Sequence, residues 1–438
     1  MEKSNFTRKD YKDFYKGIMM FNKNKDEPVH RWYPFVEGYS KDFIKSVIDE
    51  LDYTPKLCLD PFSGSGTTAL ELQKMGIECI SFEVSPFMYE LTKTKLFDNY
   101  NQKTFNYYFN NVKKQLKNIP ESISSLVDFP KKETYSEESG RSKFHYDKEV
   151  KLGIMDIKFA INNIKQPDYQ RLFRIALASI LIPVSNMYRN GKCLSYKKDF
   201  EKRKRLNRLD IHEKYVLFIE NNIYPDIQNI SKYNVTNFPL CKKGDSRKRI
   251  LKLQPESIDL IITSPPYLNS RDYTDSYLDE LRVLDYIKDM KSEQKFRRRT
   301  IRSHVQVKWD ESAVLDIEPL KKAYDEIEKN KESFWNSSIL SMISGYFNDM
   351  KTLFNQFYRI MKYDSYIYFN VANSSYFKII IPVDEIISEI ATNEGFEVIE
   401  IREARKMKSS SQQKNLELAE SVIVIKKTLH KKKENRLT

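Results

Sequence analysis

The four residues Ser264, Pro265, Pro266 and Tyr267 have the clearest chemical capacity in this chain, and they follow an apolar run at 260–262 that predicts a buried strand. The prolines stiffen the turn and leave main-chain carbonyls and the Ser264 hydroxyl free to accept hydrogens from an amine. Tyr267 offers a ring face for stacking. An exocyclic ring amine is a poor nucleophile because its lone pair is delocalised, so it needs acceptors of this kind before it can attack. A Pro-Pro turn alone is usually only a turn, and its place at the end of a strand is what favours chemistry.

A second segment, Asp60 to Thr67, predicts a ligand-binding turn between a strand and a helix. Gly64 and Gly66 let the main chain approach a ligand that a Cβ atom would block. Glu83 ends the following strand, where a carboxylate can accept hydrogen bonds from both hydroxyls of a ribose. The segment lacks the G-x-G-x-x-G of a dinucleotide site and the Gly-Lys-Ser/Thr of a phosphate loop. It therefore predicts a nucleoside ligand and no bound phosphate.

Strand and helix patterns alternate around both segments. Short strands are predicted at 56–60, 78–83, 258–264, 365–371, 396–401 and 421–426, and helices at 67–75, 339–361 and 383–393. This alternation predicts an α/β fold with a doubly wound sheet, in which ligands bind outside the carboxyl ends of the strands. The last two strands have no helix of normal length between them, so they are expected to be antiparallel neighbours at the sheet edge.

Asp60-Pro61-Phe62-x-Gly64-x-Gly66 and the later Ser-Pro-Pro-Tyr resemble two motifs of the S-adenosylmethionine-dependent DNA amino-methyltransferases. The resemblance implies S-adenosylmethionine as the cofactor and a Rossmann-like methyltransferase sheet with an antiparallel terminal strand. The segment 32–40 resembles the family's tenth motif, although an aromatic loop over a helix end explains it equally well, and 243–246 resembles the third. The implied cofactor contacts are Asp60, Phe62, Gly64, Gly66, Thr67, Glu83, Phe35 and Asp245, the last on the adenine, and the implied catalytic residues are Ser264, Pro265, Pro266 and Tyr267.

The first residue of the catalytic signature bears on the target base. A Ser at this position resembles the enzymes that modify N4 of cytosine, whereas Asp or Asn more often accompanies N6 of adenine, and adenine stays open as an alternative. An RNA methyltransferase or one that acts on protein glutamine can also use a Pro-Pro-Tyr signature. Methylation at carbon 5 is disfavoured because it needs a nucleophilic Cys after Pro, and no Cys of this chain follows a Pro. The resemblance implies a site-specific enzyme of a restriction-modification system, and whether an endonuclease accompanies it stays open.

The charge of the chain favours a polyanionic partner. Lys and Arg number 74 against 61 Asp and Glu, a formal net charge of +13, and cations gain affinity for DNA by releasing its counterions, although solubility alone also explains such a balance. Double-stranded DNA is the expected partner, with the target base flipped out of the duplex. The predicted DNA contacts are basic and aromatic residues of the long insertion and of two later segments: Tyr188, Arg189, Lys192, Arg203, Arg205, Arg271, Arg297 and Arg298.

Composition along the chain predicts its organisation. The segments are a flexible N-terminal arm (1–27), a catalytic domain (28–99 and 236–427), a helical insertion (100–235) expected to read the target, a basic sub-insertion (288–340) and a basic tail (428–438). Four cysteines without a C-x-x-C pair suggest neither a disulfide framework nor a zinc site, and no metal is expected. No apolar run approaches the ~20 residues of a membrane span and no signal-like stretch begins the chain, which predicts a cytoplasmic protein.

Overall fold

The centre of the molecule is an eight-stranded, mainly parallel sheet. The computed structural model describes residues 6–120, 123–190, 193–229, 240–268, 272–408 and 416–429. The strands in chain order are Arg8–Asp10 (β1), Leu57–Asp60 (β2), Glu78–Glu83 (β3), Met187–Arg189 (β4), Leu194–Tyr196 (β5), Leu240–Lys243 (β6), Ile258–Thr263 (β7), Met361–Ala372 (β8), Ser374–Tyr376 (β9), Ile379–Ile381 (β10), Glu397–Lys408 (β11) and Glu417–Lys426 (β12). The pairs β4-β5 and β9-β10 form separate antiparallel hairpins.

The sheet order β1-β11-β12-β8-β7-β2-β3-β6 confirms the prediction of a doubly wound α/β fold. Every pairing is parallel except those of β12, which runs antiparallel to β11 and β8. The chain moves outward from β2 through β3 to β6 and resumes at β7 on the other side of β2. Strand order therefore reverses between β2 and β7, and open α/β sheets bind ligands at this point, outside the carboxyl ends.

Helices cover both faces of the sheet. They are Lys12–Tyr15 (α1), Lys41–Glu50 (α2), Thr67–Lys74 (α3), Pro86–Leu96 (α4), Gln102–Lys117 (α5), Ile123–Leu126 (α6), Lys148–Asn162 (α7), Pro167–Val184 (α8), Arg208–Phe218 (α9), Tyr224–Asn229 (α10), Ser246–Arg249 (α11), Tyr273–Ser276 (α12), Leu278–Val283 (α13), Met290–Arg297 (α14), Glu318–Glu328 (α15), Ile339–Ile360 (α16) and Val383–Asn393 (α17). Alternate strand residues point to opposite faces. Accordingly, Leu260 and Ile262 pack in one apolar cluster with α2–α5 and α7–α9, whereas Ile261 packs in another with α15–α17.

The N-terminal segment is packed against the sheet, which corrects the prediction of a flexible arm over 1–27 for the part that the structure describes. β1 adds a parallel edge strand beside β11, and Tyr15 and Phe21 are only 1% and 2% exposed. Arg8 forms ion pairs with Asp384 and Glu385, so its charge is compensated at the edge of the sheet. The prediction failed because the segment is mostly polar, although a few apolar side chains are enough to dock it against the sheet.

The two insertions extend the faces of the sheet. The described part of 100–235 forms α5–α10 and the β4-β5 hairpin, and Phe105 and Phe173 share the apolar cluster of Leu260. The segment 288–340 contributes α14 and α15 and buries Trp309 and Leu320 in the opposite cluster. Both insertions therefore share core with the sheet. Of the predicted tail, 430–438 lies outside the described residues.

The last two strands are antiparallel neighbours, as predicted. Their predicted position at the sheet edge is wrong for β12, which lies between β11 and β8, while β1 forms the edge. The side chains of Val422, Ile423 and Val424 are all buried, because both faces of β12 are covered. Three consecutive apolar residues are typical of such an interior strand.

Candidate active site

A cavity of about 380 Å³ lies at the carboxyl ends of β2 and β7. Its volume falls in the range of small-molecule sites, roughly 300–1,000 Å³. Phe62 and Tyr267, from loops far apart in the chain, both line it. The two segments singled out by their chemistry therefore meet at one place, the reversal point of the strand order.

Asp60 joins the two segments. Its Oδ1 accepts a hydrogen bond from Thr263 Oγ1 at 2.7 Å, at the end of the neighbouring strand, and another from Phe62 N–H at 3.1 Å. Burial raises the pKa of this carboxyl to about 6. Asp60 lines the cavity, and its carboxylate holds the cofactor turn against the strand that leads into Ser264.

Glu83 and Gly64 shape the part of the cavity predicted to hold a ribose. Glu83 Oε2 accepts from Gly64 N–H at 2.8 Å and Oε1 accepts from Ser85 N–H at 2.7 Å. Burial raises the pKa of Glu83 to about 7. Each carboxylate oxygen has a second lone pair, so Glu83 can still accept from ligand hydroxyls. Gly64 has φ +51°, and a Cβ there would lie 3.3 Å from the Phe35 ring.

Gly66 and Thr67 differ in their relation to the cavity. Thr67 begins α3 and lines the cavity. Gly66 does not line it: its φ is +82°, and a Cβ there would lie 2.8 Å from Thr92 Cγ2. Gly66 therefore allows α3 to approach α4, and the structure gives it a packing role in place of the predicted ligand contact.

Asp245 and Phe35 close the cavity from two other sides, and both line it. Arg247 donates to both carboxylate oxygens of Asp245, from Nε and Nη2, each at 2.9 Å. The side chain predicted to face an adenine is thus already oriented by an ion pair. Phe35 stacks on Tyr277 with ring centroids 5.8 Å apart and packs edge-on against Phe21.

All four predicted catalytic residues, Ser264, Pro265, Pro266 and Tyr267, line the same cavity. Ser264 Oγ donates to Tyr267 Oη at 3.3 Å, and Tyr267 Oη donates to Glu420 at 2.7 Å. Burial raises the pKa of Tyr267 well above its usual value, so the phenol keeps its proton. Because a carboxylate only accepts hydrogen bonds, Glu420 fixes the donor and acceptor roles in this series: Tyr267 donates to Glu420 and accepts from Ser264. The lone pairs of Ser264 Oγ remain available to accept hydrogens from an amine.

Two residues on neighbouring strands complete this network. Asn370 Nδ2 on β8 donates to Tyr267 Oη at 2.8 Å and to Glu420 Oε1 at 3.0 Å. Arg405 on β11 forms an ion pair with Glu420. All three residues line the cavity, and Asn370 and Glu420 are 2% and 1% exposed. The catalytic signature therefore contacts a polar layer in which Asn370 and Glu420 are buried and Arg405 is partly exposed.

Comparison with known proteins finds a family model and several relatives that resemble this chain in sequence. The family model described as DNA methylase, of the N6 and N4 methyltransferases, matches residues 4–94. This match and the relatives that follow support an S-adenosylmethionine-dependent DNA amino-methyltransferase of the N6/N4 family. It is 26% identical to the Type II methyltransferase M.BsoBI from Geobacillus stearothermophilus, over 91% of this chain and 85% of that protein. It is also 26% identical to M.AvaI from Nostoc sp. (88% and 82%) and 25% identical to M.MvaI from Kocuria varians (84% and 82%).

Among solved structures, the rRNA methyltransferase aviRa from Streptomyces viridochromogenes aligns with 91% of this chain and 84% of that chain. The TM-score is 0.30 and the sequence identity 8%. A likeness at this level carries no argument.

S-adenosylmethionine is the methyl donor of this DNA methyltransferase, and the residues of the cavity fit it. At Gly64 a Cβ would enter the space beside Phe35, as expected where a backbone approaches a ligand. The Glu83 carboxylate suits the ribose hydroxyls. The rings of Phe35 and Phe62 offer faces that attract a sulfonium cation. Asp245 and Ser246 line the part of the cavity predicted to hold the adenine.

The predicted DNA contacts of the methyltransferase fall into three groups. Arg297 is buried and pairs with Asp272, Asp275 and Glu293. The side chain of Arg189 is 10% exposed, pairs with Glu280 and lies 4.9 Å from the Tyr277 ring. These two predictions are corrected, because both guanidinium groups are already paired with carboxylates and largely shielded from a phosphate outside. Tyr188, Arg203, Arg205 and Arg298 are exposed, with Arg205 paired to Glu137. Arg271 and Lys192 lie outside the described residues.

One wall of the cavity was not anticipated from the sequence. Residues of the sub-insertion line it beside Asp272 and Tyr273, namely Phe296, Arg299, Thr300, Ile301, Ser303 and His304. His304 is 2% exposed, its Nε2 lies 2.9 Å from Thr300 Oγ1, and burial lowers its pKa. The charge-rich composition of the sub-insertion did not indicate that this segment reaches the active site. The polar layer of Asn370, Arg405 and Glu420 was also missed, because each residue lies in a strand whose local sequence carries no recognisable motif.

None of the helices formed by the described residues is both long and apolar enough to span a lipid bilayer.

Proposed function

We propose that this DNA methyltransferase transfers the methyl group to N4 of cytosine in duplex DNA, as the modification enzyme of a restriction-modification system. The observation that carries the proposal is Ser264, whose hydroxyl is oriented as an acceptor in the cavity that also contains the cofactor turn. The restriction-modification context is supported by the relatives, which are named Type II methyltransferases.

The residues of the cavity suggest how the amine is activated. Ser264 Oγ accepts one hydrogen of the flipped base's amine, which localises the nitrogen lone pair and directs it toward the donor. S-adenosylmethionine supplies an electrophilic methyl group on a sulfonium. Tyr267 stacks against the base and recovers roughly 1–3 kcal/mol of the free energy spent on unstacking. Once the nitrogen has become cationic, its proton leaves to water. Positioning and electrostatics carry the catalysis, so no strong base is required.

The choice of cytosine rests on the serine of the signature. A neutral hydroxyl at this position resembles the cytosine-N4 enzymes, and nothing in the local chemistry prevents an adenine amine from using the same acceptor. Adenine N6 is therefore the alternative outcome of the test below.

DNA is proposed to contact the exposed cations of the two insertions. Arg203 and Arg298 are exposed, and Tyr188, in the middle of β4, is 44% exposed. Of the predicted contacts that the structure describes, these three have no ion pair with a described residue, whereas Arg205 pairs with Glu137, so they can reach a phosphate backbone.

The experiment uses tritiated S-adenosylmethionine and duplex DNA, digested to nucleosides after the reaction. Label in N4-methyl-2′-deoxycytidine is expected, label in N6-methyl-2′-deoxyadenosine would select the alternative, and label found only with RNA or protein would overturn the proposal. Ser264→Ala should abolish incorporation while binding of the cofactor, measured by calorimetry, changes less than about two-fold, because Ser264 contacts the amine and not the donor.

A further inference from the structure

The catalytic turn, which runs from Ser264 to Tyr267, has few main-chain donors that could hold it in place. Its two prolines have no N–H group, so the first donor after Ser264 is the amide of Tyr267. This N–H donates to the hydroxyl of Tyr273 at 3.3 Å. The peptide between Pro266 and Tyr267 is trans, and its N–H and C=O therefore lie in one plane and point in opposite directions. The bond to Tyr273 thus also fixes the direction of the Pro266 carbonyl.

Tyr267 is held at both of its ends. Its hydroxyl contacts Glu420 at 2.7 Å and Asn370 at 2.8 Å, and its amide contacts Tyr273. The first set of contacts locates the ring that is proposed to stack on the base. The second locates the backbone that carries the proposed acceptors of the amine.

Tyr273 is itself placed by the sub-insertion. It is half-buried, lines the cavity and begins α12. The preceding residue, Asp272, is 2% exposed and caps α12 by accepting from Thr274 N–H at 2.8 Å. Asp272 also pairs with the buried Arg297 of the sub-insertion. Because this pair fixes Asp272, the neighbouring tyrosine presents its hydroxyl to the turn at a defined place.

The hydroxyl matters more to the chemistry than the ring that carries it. An N–H group in a partly buried site seeks an acceptor. Without the hydroxyl of Tyr273, the Tyr267 amide would turn toward another acceptor and would rotate the peptide plane with it. The rate of a positioned reaction depends steeply on geometry, and a misplacement of about 1 Å can cost roughly 100-fold.

We propose that Tyr273 is a positioning residue for methyl transfer: its hydroxyl holds the Tyr267 amide and so keeps the turn of Ser264 in the geometry that accepts the target amine. The inference rests on the proposed function, in that it takes residues 264–267 as the catalytic signature. It holds for cytosine and for adenine alike. Tyr273 takes no part in bond making and acts through the turn.

Tyr273→Phe removes the acceptor and keeps the ring. In single-turnover methylation of duplex DNA with tritiated S-adenosylmethionine, the rate constant should fall about ten-fold, because the amide loses its fixed direction. The dissociation constants of S-adenosylhomocysteine and of the duplex should stay within two-fold of the wild-type values. An unchanged rate constant would overturn the inference. A loss confined to the reaction amplitude would overturn it too, since that loss reports partial unfolding and not a displaced turn.

Two further variants keep the test decisive. In a Tyr267→Phe background the turn has already lost one of its two holding points, so adding Tyr273→Phe should cost less than about three-fold more, because residues that act as a unit are not additive. A full ten-fold loss in both backgrounds would contradict the inference. Tyr324→Phe is the control: Tyr324 is also half-buried, but it lies on α15 outside the cavity, and this variant should keep the wild-type rate constant. If the wild type labels no DNA base at all, the proposed function fails, and that result is distinct from a slower rate in one variant.

Discussion

Tyr267 Oη is the branching point of the polar layer beneath the catalytic signature. It accepts from Ser264 and Asn370 and donates to Glu420. This one oxygen therefore fixes the direction of the Ser264 hydroxyl, whose lone pairs stay free to accept, and helps to orient the Asn370 amide. The stacking face of the same ring is a separate property, which a substitution can preserve.

Tyr267→Phe removes the hydroxyl and keeps the ring. We expect the single-turnover rate of methylation to fall about 10- to 100-fold, because the serine hydroxyl loses its fixed direction and one preorganised hydrogen bond. The affinity for the cofactor should stay within two-fold. Rapid-quench kinetics with tritiated donor measure the rate, and Tyr107→Phe, at an exposed position on α5, should leave it unchanged. A Tyr267→Phe enzyme with the wild-type rate would show that the ring alone is needed.

Glu83 predicts a pH dependence of stability. Its pKa is raised by burial from 4.5 to about 7, so between these values the folded chain binds more protons than the unfolded chain. Stability is then greatest below pH 4.5 and is lost as the pH rises to about 7, with a slope of at most about 1.4 kcal/mol per pH unit from this group. Urea unfolding of the cofactor-free protein at several pH values should show a shallower decline for Glu83→Gln than for the wild type. Glu201→Gln, at an exposed site, should keep the wild-type slope; equal slopes for all three would contradict the prediction.

At the residue scale, the sequence predicts contacts made within a motif better than contacts made across the fold. Phe62, Glu83 and Tyr267 all line the cavity, because strand ends and the loops that follow them can be predicted from local pattern. Glu420 reaches Tyr267 through sheet pairing that no local pattern encodes. Arg189 was predicted as a DNA contact because its charge is evident from the sequence, whereas its ion-pair partner Glu280 lies far away in the chain and cannot be predicted from local pattern.

At the scale of elements, the turn from β2 into α3 depends on two backbone conformations that L-residues avoid. Gly64 and Gly66 both have positive φ, but only Gly66 is in close approach to a neighbouring helix. This turn sets both the direction of α3 and the shape of the cavity wall.

Gly66→Ala should be more destabilising than Gly76→Ala. Both residues have positive φ, at +82° and +74°, which costs an alanine about 1 kcal/mol. Only at Gly66 does the new Cβ meet Thr92, at 2.8 Å, whereas nothing lies within 4 Å at Gly76. We expect overpacking to add about 1–3 kcal/mol. Chemical unfolding measures both, and Thr92→Ala should recover part of the loss in the Gly66→Ala background; similar losses for the two glycines would remove the packing argument.

At the scale of the whole molecule, the N-terminal segment connects the far edge of the sheet to the cavity. β1 extends the sheet beside β11, Tyr15 lies within hydrogen-bond distance of Arg402 at 3.1 Å, and Phe21 packs on Phe35. The sequence predicted none of this, since few apolar residues are scattered among many charges.

Adjacent residues of this segment allow a matched comparison. Tyr15 is 1% exposed and Phe14 60% exposed. Tyr15→Ala should lower the free energy of unfolding by about 3 kcal/mol, because a buried aromatic ring leaves a cavity, and Phe14→Ala by less than about 0.5 kcal/mol. Urea denaturation distinguishes them, and equal losses would indicate that the segment is not docked in solution.

The exposed arginines of the two insertions predict which face of the molecule the DNA crosses. Arg203 and Arg298 lie on different insertions and are both exposed, so a duplex that contacts both must cross the face between them. Each phosphate contact contributes about 0.9 to the slope of log affinity against log salt concentration. Arg203→Gln and Arg298→Gln should each reduce that slope by about one in titrations of non-specific duplex DNA. Arg205→Gln should reduce it less, because Glu137 already neutralises that guanidinium, and a wild-type slope in both of the first two variants would place the DNA on another face.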